Sequence, residues 1–171
     1  KKKRTFVFST SEVYGKTTKV PFCEDDDLLL GPSTRPRWGY AVSKLLDEFL
    51  ALAYHREHGV PVTVIRLFNT VGRYQSSHFG MVLPRFVARA LAGEPLQVYG
   101  DGSQSRCFCD VCDVVAALMK LVPETESIGQ VFNIGGGDEI RMVDLAKLVI
   151  QTLASRSEIQ FVPYSVVYGT N

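Results

Sequence analysis

The sequence predicts an α/β fold built on a parallel sheet, and three observations carry that expectation. Short apolar, β-prone runs recur at residues 5–8, 62–67 and 131–134. A stretch with the 3.6-residue period of an amphipathic helix lies between the first two. Each run ends in a polar or Gly-rich loop, the place where open α/β sheets bind ligands.

Thr5-Phe6-Val7-Phe8 reads as a buried parallel strand, with Ser9 to Gly15 at its C-terminal end. Residues 16–38 read as a polar, Pro-containing loop whose acidic stretch, Glu24 to Asp27, is solvated surface. From Gly39 to about His58, Leu45, Leu46, Phe49, Leu50 and Ala53 recur at helical spacing, and Gly59 and Pro61 stop the helix. Residues 62–67 are the next strand and 68–72 its terminal loop, which completes one right-handed βαβ unit.

Residues 82–92 predict a helix with Pro84 in its first turn and Gly93 after its end. Residues 96–99 predict a strand, 100–102 a turn and 106–109 another strand. Asp110 or Asp113 can cap a helix running to Leu121. A strand at 131–134, a Gly135-Gly136-Gly137 turn, a helix at 142–154 and a strand at 159–162 complete the chain. The triple glycine is not a dinucleotide fingerprint, because Ile140 stands where the third spaced glycine would be.

The 171 residues are 46% hydrophobic with a formal net charge of +1. That is enough to bury a normal core, and the balance gives no reason to expect nucleic-acid binding. Lys1-Lys2-Lys3-Arg4 is a solvated lead-in to the first strand. No apolar segment is long enough for a bilayer span and no signal peptide is visible, so the cytoplasm is the default expectation and no membrane partner is expected. Of the four cysteines, Cys107, Cys109 and Cys112 are clustered, but no further Cys or His lies close by to close a tetrahedral metal site. Cys107 and Cys109 read instead as small residues on one strand face, with Cys112 starting the next helix. No metal is expected.

The chemistry is concentrated in Tyr40-Ala41-Val42-Ser43-Lys44. A Tyr and a Lys four apart share one helix face. The ammonium favours the phenolate, so Tyr40 can act as a base near neutral pH. A hydroxyl at the end of the upstream strand, Thr10, can complete a proton relay. Such a triad suits removal of a proton from a sugar alcohol as hydride leaves the same carbon.

Five ordered segments then carry a resemblance: residues 9–15, 36–44, 66–70, 93–106 and 131–135. Together they resemble the extended short-chain dehydrogenase/reductase superfamily, in its nucleotide-sugar epimerase, dehydratase and decarboxylase branch. The resemblance implies a partial Rossmann-type doubly wound parallel sheet with a smaller α/β substrate-binding part. Residues 1–72, with strand 130–135 returning, correspond to the C-terminal half of the NAD-binding domain. Residues 73–129 and 136–171 correspond to the substrate-binding part. Nothing like the Gly-rich pyrophosphate turn precedes Lys1, and Tyr168 to Asn171 stop within the substrate-binding part. The chain therefore reads as N-terminally truncated and is expected, alone, to bind NAD poorly and to be inactive.

By resemblance, Tyr40 is the base toward the sugar C4 hydroxyl and Lys44 holds the nicotinamide ribose. Thr10 orients the sugar oxygen, and Ser11 and Glu12 complete the catalytic segment. Ser9, Tyr40, Lys44 and Phe68 are implied on the NAD side, although Phe68 also fits ordinary core packing. Thr10, Asn69, Leu83, Tyr99 and Arg106 are implied on the nucleotide sugar: Asn69 at the diphosphate or sugar, Arg106 at a diphosphate oxygen, and Tyr99 at the base or simply as a strand aromatic. Dehydratases of this branch carry an Asp where this chain has Ser11, and a hydroxyl is a poor acid for a departing water. The favoured reading is a UDP-sugar 4-epimerase working through a transient 4-keto sugar, with a UDP-glucuronate decarboxylase as the alternative. Other readings are a non-catalytic fragment or pseudoenzyme, and a generic alcohol or steroid dehydrogenase that leaves residues 100–106 unexplained. Departures from the branch occur at Gly72-Arg73-Tyr74 and Phe108-Cys109-Asp110. Relatives imply a homodimer, with helices near the Tyr-bearing one packed as a four-helix bundle.

Overall fold

The computed structural model describes residues 2–76 and 81–164, so Tyr168 to Asn171 lie outside the described residues. In chain order the elements are β1 (Thr5–Thr10), a 3-10 turn (Ser11–Tyr14), α1 (Trp38–His58), β2 (Val62–Leu67), β3 (Thr70–Val71), α2 (Val82–Ala92) and β4 (Leu96–Tyr99). They continue with β5 (Ser105–Cys107), β6 (Cys109–Asp110), α3 (Val111–Leu121), β7 (Val131–Ile134), β8 (Glu139–Arg141), α4 (Met142–Thr152) and β9 (Ile159–Val162). The chain divides into two compact units. Unit 1 runs to Thr70 and resumes over Cys109–Gly136; unit 2 holds Val71–Phe108 and the residues from Gly137 on.

Unit 1 is a parallel sheet in the order β1-β2-β7. Its register runs Thr5 to Val62 through Thr10 to Leu67, then Val64 to Val131 through Leu67 to Ile134. β2 is central and buried from Val62 to Arg66. Side chains alternate across a strand. Ile65 and Leu67 therefore join the α3 side, packing with Val114, Leu118 and Ile134, whereas Arg66 meets α1. Helices on both faces make this the expected α/β arrangement. α1 stops as its sequence signals: Gly59 takes a left-handed φ of 60° and its N–H donates to the His55 carbonyl at 2.9 Å.

Four expectations are corrected. Residues 109–129 belong with unit 1, because Val114, Ala117, Leu118 and Leu121 of α3 pack against the core of Ile65 and Ile134. β1 is not a fully buried run: Phe8 is 45% exposed, and among the described strands β1 pairs with β2 alone. The apolar stripe of α1 does not enter the core, since Leu46, Phe49, Leu50 and Tyr54 are exposed while Trp38, Ala41 and Glu48 face inward. The strand expected over 106–109 is broken at Phe108, so Cys107 closes β5 and Cys109 opens β6.

Unit 2 pairs β4 with β9 in parallel and β5 with β8 antiparallel. Its core joins Phe86 and Ala90 of α2 to Leu96, Val98, Leu145 and Val149. Asp110, rather than Asp113, caps α3 through its carboxylate, which accepts from the Cys112 N–H at 2.7 Å. The four cysteines are free thiols. Burial pushes the Cys107 and Cys109 thiols up, and the Asp110 carboxylate does so for Cys112. Among the described residues no group of three His, Cys, Asp or Glu is placed to hold a metal, and no helix is long and apolar enough to cross a membrane.

The triple-glycine turn has a steric reason at its first position. A Cβ on Gly135 would lie 2.8 Å from Cβ and Cγ of Phe68, whereas one on Gly137 would meet nothing within 4 Å. Gly135→Ala is therefore expected to cost about 1–3 kcal/mol in urea unfolding, and Gly137→Ala less than about 1 kcal/mol. Equal costs at the two positions would contradict this packing.

Candidate active site

β1 delivers Ser9 and Thr10 to the C-terminal edge of the sheet of unit 1. Thr10 leaves the strand extended and caps the following turn, its Oγ1 accepting from the Glu12 N–H at 3.2 Å. Ser11 is half-buried and Glu12 exposed. The turn ends in Val13 and Tyr14, both fully buried.

Tyr40 and Lys44 lie one turn apart at the start of α1, on the face their spacing predicts. Tyr40 is 58% exposed. The Lys44 ammonium is held at 2.9 Å by the Asp47 carboxylate on the same helix, so Tyr40 and Lys44 share a face rather than a hydrogen bond here. The Ser43 hydroxyl donates to the Tyr40 carbonyl at 2.8 Å. Trp38 is buried beneath this turn, with the Arg37 guanidinium 4.6 Å over its ring.

The third member of the same helix stripe, Glu48, carries a network and is not among the residues the sequence motifs single out. Its side chain is only 4% exposed. Glu48 Oε1 accepts from the Ser9 hydroxyl and from Arg66 Nε at 3.1 Å; Oε2 accepts from Arg66 Nη2 at 2.8 Å. Arg66 Nη1 donates to the Tyr14 hydroxyl and to the Glu24 carbonyl, each at 2.9 Å. The Tyr14 hydroxyl donates to Asn133 Oδ1 at 2.9 Å, and the Glu24 carboxylate accepts from the Asn133 N–H at 2.7 Å. Burial alone would lower the Arg66 pKa, but the hydrogen bonds to Glu48 and Tyr14 more than reverse it, leaving the guanidinium above its ordinary value. The acidic stretch is thus not merely solvated surface. Glu24 reaches into the sheet, and Asp26 is held by Lys19 and by the Cys23 N–H, the Lys19 bond drawing its carboxyl below the usual range.

A signal for this network was present. Arg66 is a lone charge inside an otherwise buried strand, and such a charge requires a buried acceptor. Glu48, four residues beyond Lys44 on the same face, is the acidic group that a helix packed on that strand can supply.

The remaining expected positions divide between the units. In unit 1, the Ser9 hydroxyl is committed to Glu48. Phe68 packs with Tyr14 and Phe22 at ring-centre distances of 6.5 and 6.1 Å, and Tyr14 and Phe22 are stacked at 4.5 Å. The Asn69 carbonyl accepts from the Cys109 N–H at 3.0 Å. In unit 2, Leu83 packs on the core. The Tyr99 hydroxyl accepts from Arg85 at 3.0 Å, and its carbonyl accepts from the Gln104 amide. Arg106 is exposed and donates through Nη1 to the Ser105 carbonyl at 2.8 Å.

In unit 1 the arrangement offers a solvent-facing phenol, an ammonium on the same helix face and a hydroxyl at a strand end, all carried on a frame locked from beneath. Such a set can take and return a proton at an alcohol.

Comparison with known proteins places the chain in a family. Residues 1–135 match the model of the NAD dependent epimerase/dehydratase family. The chain is 45% identical over 168 residues to the UDP-N-acetyl-alpha-D-glucosaminuronate decarboxylase of Bacillus cytotoxicus, covering 98% of this chain and 51% of that protein. It is 39% identical over 160 residues to UDP-glucuronic acid decarboxylase 1 of Danio rerio, covering 94% of this chain and 38% of that one. Among solved structures it resembles the UDP-glucuronic acid 4-epimerase of Bacillus cereus in complex with UDP-glucuronic acid and NAD. That match has a TM-score of 0.78 and 30% identity over 92% of this chain and 48% of the other. The chain thus spans about half the length, or less, of these relatives. It is a Rossmann-type α/β chain, and it belongs to the NAD-dependent epimerase/dehydratase family.

Proposed function

We propose that the protein carrying this chain is an NAD-dependent decarboxylase of a UDP-linked uronic acid, with the chain supplying the proton-transfer residues. The observation that carries this reading is the Thr10-Ser11-Glu12 segment set against Tyr40 and Lys44, in a chain whose curated relatives at 45% and 39% identity are uronate decarboxylases. The order of the two readings from the sequence is thereby reversed: decarboxylation stands ahead of C4 epimerisation. Ser11 supports both against dehydration, because the chain has no carboxylic acid there to protonate a leaving hydroxyl.

The donor set suits the ribose end of NAD. An exposed phenol and a partly open ammonium lie one turn apart, and the ammonium is held in place by Asp47. Bound NAD supplies the hydride acceptor and donor for the sugar C4. Tyr40 takes the C4 hydroxyl proton, with the Lys44 ammonium on the same helix face. Thr10 shares the proton through its hydroxyl. The resulting C4 ketone is β to the C6 carboxylate, so the C5–C6 bond breaks, carbon dioxide leaves and its electron pair moves toward the C4 oxygen. On this reading Tyr40 and Thr10 stabilise that developing oxyanion; C5 then takes a proton from solvent as the C4 ketone re-forms, and Tyr40 returns its proton to the C4 oxygen when that ketone is reduced again.

The partner we propose is a second copy of the chain. Val42, Leu46, Phe49, Leu50 and Tyr54 form an exposed apolar stripe along α1, with Phe49 62% exposed. Contiguous apolar surface of this kind on a soluble unit marks an interface.

Two outcomes are expected of the full-length protein. Incubated with NAD and UDP-glucuronate or its N-acetyl counterpart, it releases carbon dioxide, and Tyr40→Phe lowers kcat by at least about a hundredfold. A C4-epimeric uronate without carbon dioxide would overturn the choice. In light scattering the protein has the mass of a dimer, and Phe49→Glu shifts it toward monomer; an unchanged dimer in that variant would exclude this face.

A further inference from the structure

We infer that Glu48 is a positioning residue for the proton relay, acting through Ser9 and Arg66; this rests on the functional reading above. Tyr40, Lys44 and Glu48 fall at i, i+4 and i+8 on α1, so they form one stripe about 12 Å long. The stripe is graded in burial. Tyr40 is open, the Lys44 side chain is 25% exposed and Glu48 is enclosed. Glu48 is therefore the fixed end of a rigid rod whose free end carries the base.

The same carboxylate fixes the other half of the relay. It accepts from Ser9, the residue before Thr10, and through Arg66 it reaches Tyr14, the last residue of the turn that Thr10 caps. Both ends of the segment bearing Thr10, Ser11 and Glu12 are thus tied to the group that anchors α1. The donors to Glu48 all come from within the protein, Ser9, Arg66 Nη2 and an Arg66 Nε–H shared between both oxygens, and its side chain is 4% exposed, so Glu48 is not placed to bind a substrate. Its influence passes through placement: misplacing reacting groups by about 1 Å can cost about a hundredfold in rate.

The test uses full-length enzyme with NAD and the UDP-uronate, with rates expressed per folded molecule. Glu48→Gln keeps the shape but loses the charge that orders Arg66. It is expected to lower kcat by about 10- to 100-fold while KM stays within about twofold, the pattern of a group felt at the transition state and not in binding. Ser9→Ala is milder and decides the matter if Glu48→Gln does not fold. It is expected to lower kcat about three- to tenfold, with Ser9→Thr restoring it because the hydroxyl is kept. Amide hydrogen exchange at Ser11 to Gly15 needs no substrate and is expected to speed up in both Glu48→Gln and Ser9→Ala. If wild type turns over no uronate, the functional reading fails and the exchange comparison alone decides the placement. Unchanged kcat per folded molecule in an active enzyme, or unchanged exchange in the turn, would overturn the proposal.

Discussion

The fold of unit 1 is organised around one buried ion pair, Arg66 with Glu48. Taking two charges out of water costs several kcal/mol per ion unless geometry and further hydrogen bonds compensate. Compensation here is extensive. Glu48 accepts from two Arg66 nitrogens and from Ser9, and Arg66 spends its remaining contacts on Tyr14 and the Glu24 carbonyl. Because each partner comes from a different element, the pair can be satisfied in only one arrangement of β1, β2, α1 and the loop before α1. Asn133 extends the same constraint to β7.

That constraint explains how a sparse set of proposed catalytic side chains can be precise while being open. Tyr40 is more than half exposed, and the Lys44 ammonium is held by an ion pair with the half-exposed Asp47, a type of contact that contributes little near the surface. Their placement comes from the buried end of α1. Thr10 sits on a turn held at Ser9 and at Tyr14, and Tyr14 stacks on Phe22, so the loop of residues 16–30 becomes part of the support. On the proposed reading, NAD and a sugar C4 provide the chemistry, and this chain's own frame provides the geometry for the proton.

Much of this was legible in the sequence, for definite reasons. β2 and β7 are apolar runs between turn signals, Tyr40 and Lys44 are chemically distinctive at a spacing that puts them on one helix face, and Thr10 marks the end of a strand. Less was legible where long-range partners decide. The period of Leu46, Phe49 and Leu50 reports a shared helix face, but not that the face lies open while Glu48 points inward. Glu24 reads as one more surface acid until the chain brings Asn133 and Arg66 beside it. Residues 109–129 follow the substrate-side motif in sequence, yet α3 is drawn into unit 1 by Ile65 and Ile134. Between decarboxylation and epimerisation the proposed catalytic residues are common to both, so Ser11 argues against dehydration and does not separate the other two.

A double-mutant cycle on Glu48 and Arg66, read by urea unfolding of the full-length protein, tests the organising role most directly. Glu48→Ala and Arg66→Ala are each expected to cost about 3–5 kcal/mol, because each leaves the other charge buried and unpaired. The double variant is then expected to fall short of the sum by about 1–3 kcal/mol. Single costs below about 1 kcal/mol, or costs that add to within about 0.5 kcal/mol, would contradict the account.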